Sequence, residues 1–228
     1  MLQAMPSSTP VEKRDRALIA FSILSGARDG ALASFRLKHV DMAAKTVFQD
    51  AREVSTKRRK TFTSSFFPVG PEPLPIVADY MAMLKGELGF GPDHPLFPAT
   101  RIGNGADRAF EAQGLSRQHW TTTEPIRCVF RAAFAAAGLP YANPHSFRNT
   151  LVLYGQRICR TPEEWKAWSQ NLGHESETTT FVGYGQVPSH RQAEIMRRLG
   201  EPRTERQADE EIATMQASLD RLRASQTA

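Results

Sequence analysis

The sequence is poor in the features that would tie a chain together or carry it across a membrane. It has two cysteines, Cys128 and Cys159. Two are too few for a disulfide framework, and their spacing fits no zinc-binding pattern. Both read as buried small hydrophobes, the usual fate of a free cysteine. No apolar run approaches the ~18 residues that span a bilayer. The opening residues, MLQAMPSSTPVEKRDRAL, lack the apolar stretch of a secretory leader. A cytoplasmic location is therefore expected. Nor is there an internal repeat, or any His/Cys cluster that would call for a metal.

What the chain does have is enough apolar material for a core and a surplus of positive charge. Of 228 residues, 40% are hydrophobic and 23% charged, which suits one domain of ordinary size with an appendage. The net charge is +5. Residues 201–228 hold six acids and four bases, a balance of −2, so residues 1–200 carry +7. A basic body points, weakly by itself, to a polyanionic partner.

Local patterns give the elements. Residues 1–12, with Pro6 and Pro10, read as a disordered lead. Residues 15–28 read as a helix with apolar residues around much of its surface, stopped by Gly26. A short helix over 30–37 follows. Residues 46–48, 53–55 and 61–67 are β-rich and predict a small antiparallel sheet, with the basic turn Lys57-Arg58-Arg59-Lys60 on a hairpin. Four prolines between 68 and 75 interrupt regular structure, 76–88 is helical, and 89–110 reads as a Gly/Pro-rich loop. Helices are predicted over 125–137, where Ile126, Val129, Phe130 and Ala133 share a face, and over 145–157 after Pro144. Another follows Thr161, with Glu164 at the capping-box position and Gly173 as the stop. A last short helix covers 189–199. Beyond it, Ala208, Ile212, Met215, Leu219 and Leu222 form a narrow apolar seam on a helical tail. The fold class is α+β: a mostly helical domain over 13–200 with one small antiparallel sheet, and a tail over 201–228.

Five marks carry chemistry, and none is decisive alone. Arg28 sits at a helix–turn–helix junction, GARDGAL. Arg52, Lys57, Arg58, Arg59 and Lys60 put five cations into nine positions, able to reach a DNA groove or its phosphates. His145 and Arg148, three apart in Pro-His-Ser-Phe-Arg, share a helix face. An arginine can bind a phosphate through two parallel N–H bonds, and a histidine can pass a proton. His174 follows a helix end in Leu-Gly-His. Tyr184 lies in the segment TTTFVGYGQV.

In this order the marks resemble the tyrosine recombinase, or phage integrase, family: an arginine, a lysine on a β-hairpin, His-x-x-Arg, Leu-Gly-His, then a tyrosine. The resemblance covers about residues 14–200, and residues 26–41 also match the pattern around the family's first arginine. It implies a nucleophilic Tyr184, with Arg28 and Arg148 clamping the scissile phosphate. His145 would serve as acid/base, and His174 would hydrogen-bond the phosphate. Lys57 or Lys60 would protonate the leaving oxygen. Lys60 is preferred, because in relatives this lysine precedes a strand ending in proline and Pro68 lies eight residues on. Arg52, Lys57, Arg58 and Arg59 would bind DNA. No metal or cofactor is implied. The partners implied are duplex DNA, in association with the nucleoid, and further copies of the chain, as a tetramer on DNA.

The sequence departs from the family pattern in three places. Ala31 stands three after Arg28, where relatives often have an acid, so a carboxylate that orients the arginine is either Asp29 or absent. The interval from His174 to Tyr184 is one residue longer than is common. The helical core-binding domain that precedes the first arginine in most relatives is not in this sequence, so weak DNA binding is expected. The seam from Ala208 to Leu222 packs either on a neighbouring copy or back on its own domain. Two other readings stand beside the recombinase: a non-catalytic DNA-binding remnant, and a type IB topoisomerase. The short hairpin and the Leu-Gly-His mark favour the recombinase.

Overall fold

In the computed structural model, residues 1–104, 110–173 and 189–200 are described. Helix α1 spans Pro10–Ser25. Its start is a full capping box: Thr9 Oγ1 accepts from the Glu12 N–H at 3.2 Å, and the Glu12 carboxylate accepts from the Thr9 N–H at 2.9 Å. Its end is Gly26, at φ +60°. Here glycine is needed twice over, because a Cβ at this position would also lie about 3 Å from Leu172, Leu151 and Phe67.

Residues 1–12 are not the disordered lead expected of them. They open with a 3₁₀ turn at Leu2–Ala4, Met5 is buried, and Met1 and Leu2 pack on the core. The Leu2 carbonyl accepts from Arg16 Nε at 3.0 Å. Polar composition hid this, because the anchoring residues are few and a Pro/Ser-rich stretch follows them.

Helix α2 is short, Asp29–Ser34. A three-stranded antiparallel sheet follows in the order β1 (Val40–Asp41), β2 (Thr46–Gln49), β3 (Phe62–Ser65). Val47 pairs with Ser64 and Phe48 with Thr63. Residues 53–55, expected as a strand, belong instead to the connection between β2 and β3. The Asp50 carbonyl takes the N–H groups of Glu53 and Val54, which turns the chain away from the ladder.

Helix α3 (Pro73–Ala82) begins earlier than expected, since a proline is well placed in a first turn. It continues into a π-helical turn at Met83–Glu87. The expected loop that follows contains a second hairpin, β4 (Thr100–Asn104) with β5 (Phe110–Leu115). Its glycines and exposed Ile102 give no alternating pattern to read. Buried Arg14 of α1 holds its base, donating at 2.9 Å to both the Pro98 carbonyl and Thr100 Oγ1.

Helices α4 (Glu124–Ala136), α5 (His145–Ile158), α6 (Pro162–Asn171) and α7 (Ser189–Leu199) lie close to their predicted bounds. Cys128 is on the exposed side of α4, opposite Ile126, Val129, Phe130 and Ala133, and is not buried as expected. Cys159 is half-buried, and burial pushes its thiol up to about 12.

Among the described residues there are two main buried clusters, with a small third of Ala167 and Ile195 between α6 and α7. The larger joins α1, α2, α3 and α4 around Phe21, Phe35, Tyr80, Phe97 and Phe130. The smaller joins the end of β3 to α5, α6 and α7 through Phe67, Leu151, Trp168, Leu172 and Met196. The apolar seam between Ala208 and Leu222 lies outside the described residues.

Candidate active site

The chain reverses at Gly26 and presents Arg28 immediately before α2. Facing it is the start of α5. Arg28, Asp29, Arg127, Asn143, Pro144 and His145 together line a cleft of about 310 Å³. Two of the expected site residues, 117 positions apart in the chain, thus share one concavity. His145 is exposed at the first residue of α5.

Arg148, one helical turn further on, is 4% exposed. Its Nη1 donates to the Gly26 carbonyl, and its Nη2 donates to the Leu172 carbonyl at 2.7 Å. Each acceptor lies two residues before an expected site residue, Arg28 and His174. A planar guanidinium suits such a two-point bridge, because its donors diverge at a fixed angle. Arg148 therefore fixes the loop of Arg28 against the end of α6.

That helix end is held from a second side. Asn171 is buried and reads the edge of β3 like an adjoining strand. Its Oδ1 accepts from the Ser65 N–H at 2.6 Å, and its Nδ2 donates to the Ser65 carbonyl at 2.8 Å. Gln192 of α7 adds a bond to Asn171 Oδ1 at 3.2 Å. Gly173 follows at φ +70°, and a Cβ there would lie 2.8 Å from the Phe62 ring. Leu-Gly-His thus needs its glycine both for backbone geometry and for close approach to β3. His174 and Tyr184 themselves lie outside the described residues.

The expected basic hairpin is the connection between β2 and β3. Lys57–Arg59 form a 3₁₀ turn, with Arg58 and Arg59 at φ +61° and +52°. Left-handed backbone is costly for residues other than glycine, and here it turns Lys57, Arg58 and Arg59 outward, all exposed, while Lys60 is half-buried. The base of this arm docks on α2: the Ser55 N–H donates to Ser34 Oγ at 2.8 Å, and Gly30 packs against Ser55. Glu53 secures it further, pairing with Lys38 and with His39 Nε2, both at 2.8 Å. His39 Nδ1 accepts the Arg36 N–H, so Nε2 carries the proton given to Glu53. The hydrogen bonds from Lys38 and His39 hold the Glu53 carboxyl below its ordinary value.

Arg52, the remaining basic candidate, is committed to Asp50 through a fork at 2.6–3.1 Å. Hydrogen bonds from the Arg52 side chain and then its N–H hold Asp50 at about 2. Asp29, the nearby carboxylate, accepts from the Gly30 N–H and faces Arg127 at 3.5 Å. Arg127, Asn143 and Asn171 were missed from sequence. Arg127 sits on the polar face of a helix that reads only as amphipathic, and Asn171 works across 106 positions. Among the described residues there is no group of three or more His, Cys, Asp or Glu able to hold a metal ion, and no helix long and apolar enough to cross a membrane.

Comparison with solved structures gives the fold. XerA recombinase superposes with a TM-score of 0.51 at 16% identity, covering 93% of this chain and 62% of that one. The integrase of mycobacterium phage Brujita gives the same TM-score at 20% identity, covering 90% and 57%. The fold is that of tyrosine recombinase and integrase catalytic domains. In sequence, tyrosine recombinase XerC of Actinobacillus succinogenes is 25% identical over 177 residues, which is 77% of this chain and 50% of that protein. No family model matches the chain. These likenesses support the tyrosine recombinase family, the one its motif order resembles. The chain spans about half the length of the curated relative it matches.

Proposed function

We propose that this chain is the catalytic unit of a site-specific DNA recombinase, which cleaves and rejoins duplex DNA through a 3′-phosphotyrosyl intermediate. The observation that carries the reading is the meeting of Arg28 and His145 in one cleft, with Arg148 of the same helix bonded to the Gly26 and Leu172 carbonyls.

In the proposed reaction the Tyr184 hydroxyl attacks the scissile phosphorus and gives its proton to His145. The bond from phosphorus to the 5′-oxygen breaks, and that oxygen takes a proton from Lys60. The products are a 3′-phosphotyrosine and a 5′-hydroxyl. Attack by the 5′-hydroxyl of a partner strand then reverses these steps and frees Tyr184. One phosphodiester replaces another, so dividing the exchange in two needs no outside energy source. Arg28 and His174 face the non-bridging oxygens, where charge grows in the transition state. A donor so placed is worth ~100- to 1,000-fold in rate. Arg148 adds its positive charge while holding the frame. Lys57, Arg58 and Arg59 contact neighbouring phosphates. The enzyme works as a tetramer on DNA, in the cytoplasm at the nucleoid.

The test uses nicked suicide duplexes prepared from the source organism's DNA. The wild type is expected to leave a covalent protein–DNA adduct on a denaturing gel, and Tyr184→Phe none. An adduct from Tyr184→Phe removes the nucleophile assignment. No adduct from the wild type, while a full-length relative forms one on its own site, removes the catalytic reading. Relaxation of supercoiled plasmid without site preference would favour a topoisomerase.

A further inference from the structure

Arg127 lies in the cleft that Arg28 and His145 share, yet no part of the proposed chemistry uses it. It projects from the first turn of α4, and its side chain is 48% exposed. Its partners are two carboxylates at long range: Asp29 Oδ2 at 3.5 Å from Nη2, and Glu124 Oε2 at 3.7 Å from Nη1. Asp29 is 35% exposed and Glu124 54%. Pairs this long and this wet contribute little to stability, so holding the fold is a poor account of Arg127. A guanidinium that faces a cleft on such loose contacts can turn from a carboxylate to a phosphate without moving its helix. The cleft otherwise offers an anion Arg28, His145 and the Asn143 amide, with Asp29 as the one carboxylate in its lining.

We infer that Arg127 is a further DNA-phosphate contact beside the scissile position, and that Asp29 occupies its guanidinium until DNA displaces it. This rests on the DNA-strand-exchange reading above. Asp29 then has a definite effect: its negative charge opposes the incoming phosphate, and releasing Arg127 is part of binding.

The experiment is equilibrium binding of a fluorescent duplex of arbitrary sequence by the whole chain, across a salt series. Each phosphate contact contributes about 0.9 to the slope of log K against log salt. Arg127→Gln is expected to lower that slope by about 0.9 and to weaken binding roughly five- to tenfold near ~0.1 M salt. Arg127→Lys keeps a charge and should keep the slope. Asp29→Asn should bind at least as tightly as the wild type. An unchanged slope in Arg127→Gln overturns the inference. So does a loss in Asp29→Asn equal to that in Arg127→Gln, because the two would then act only as a structural pair. Thermal unfolding of each variant identifies any that fails to fold, and Asp29→Asn then decides the matter alone. If the wild type shows no salt-dependent binding, the underlying DNA reading fails instead.

Discussion

Around Phe21 the interior is chiefly apolar. Phe35, Phe66 and Phe97 meet its ring edge-on, at centroid distances of 5.5–6.0 Å. Around Trp168 the interior is smaller and crossed by hydrogen bonds. The Trp168 indole packs on Phe67 at 4.7 Å and donates to the Leu151 carbonyl at 2.9 Å. Gly155 makes room for it: a Cβ there would fall 2.5 Å from the indole nitrogen. Arg148 and Asn171 bond to backbone in the same region. The first cluster buries area, which any well-fitting apolar side chain can supply. The second fixes directions, which needs particular donors and acceptors at particular points. It is the second that carries Arg148 and the Leu172-Gly173 end of α6.

Phe21→Ala and Trp168→Ala should each cost roughly 3–5 kcal/mol of unfolding free energy. The contrast predicts where each loss spreads. Hydrogen exchange should accelerate throughout the domain in Phe21→Ala, but first in α5–α7 in Trp168→Ala. Equal spread in both would break the comparison.

Arg148→Lys keeps the charge and loses the fork. One of two buried carbonyls loses its partner, at a cost of roughly 1–3 kcal/mol by urea unfolding. Adduct formation should fall further than stability does, because Arg28 is no longer held. If activity falls only as far as folding does, the arginine is a stabilising residue alone.

Asn171→Ala leaves the Ser65 N–H and carbonyl unpaired at a buried edge, costing roughly 1–3 kcal/mol. A ligand-independent chemical shift change along β3 should accompany it in amide spectra. A variant with unchanged β3 shifts would show that the sheet does not depend on this contact.

The smallest effect lies at the arm. Asp50 is held at about 2 by Arg52, below its unfolded value. Its contribution is therefore present above the ordinary carboxylate range and is lost as pH falls toward 2. Arg52→Ala should raise the Asp50 midpoint in a carboxyl NMR titration, so that the loss begins at higher pH. An unmoved midpoint would mean that Arg52 is not its partner in solution.

The sequence shows best what is settled locally. Thr161 and Glu164 state the start of α6 within four residues, and the structure has that capping box in full. The order of Arg28, His145 and Arg148 pointed to one site, and Arg28 and His145 do share a cleft. What escaped depends on partners far along the chain. Nothing near Arg148 announces that its donors go to Gly26 and Leu172, 122 and 24 positions away. Nothing near Asn171 announces Ser65. The β4–β5 hairpin escaped for a different reason: none of its described residues is fully buried, so burial imposes no clear period on them.

The bridge made by Arg148 has a consequence in time as well as in space. It closes a span of 122 residues, and its second acceptor, Leu172, emerges later in synthesis than the arginine itself. Contacts so distant in sequence form late, after local helices and hairpins. A nascent chain that ends before Leu172 can fold α1, the sheet and α3 and still lack the clasp that orders the Arg28 loop. The frame around the Arg28 loop is thus closed only when the chain has been made as far as Leu172.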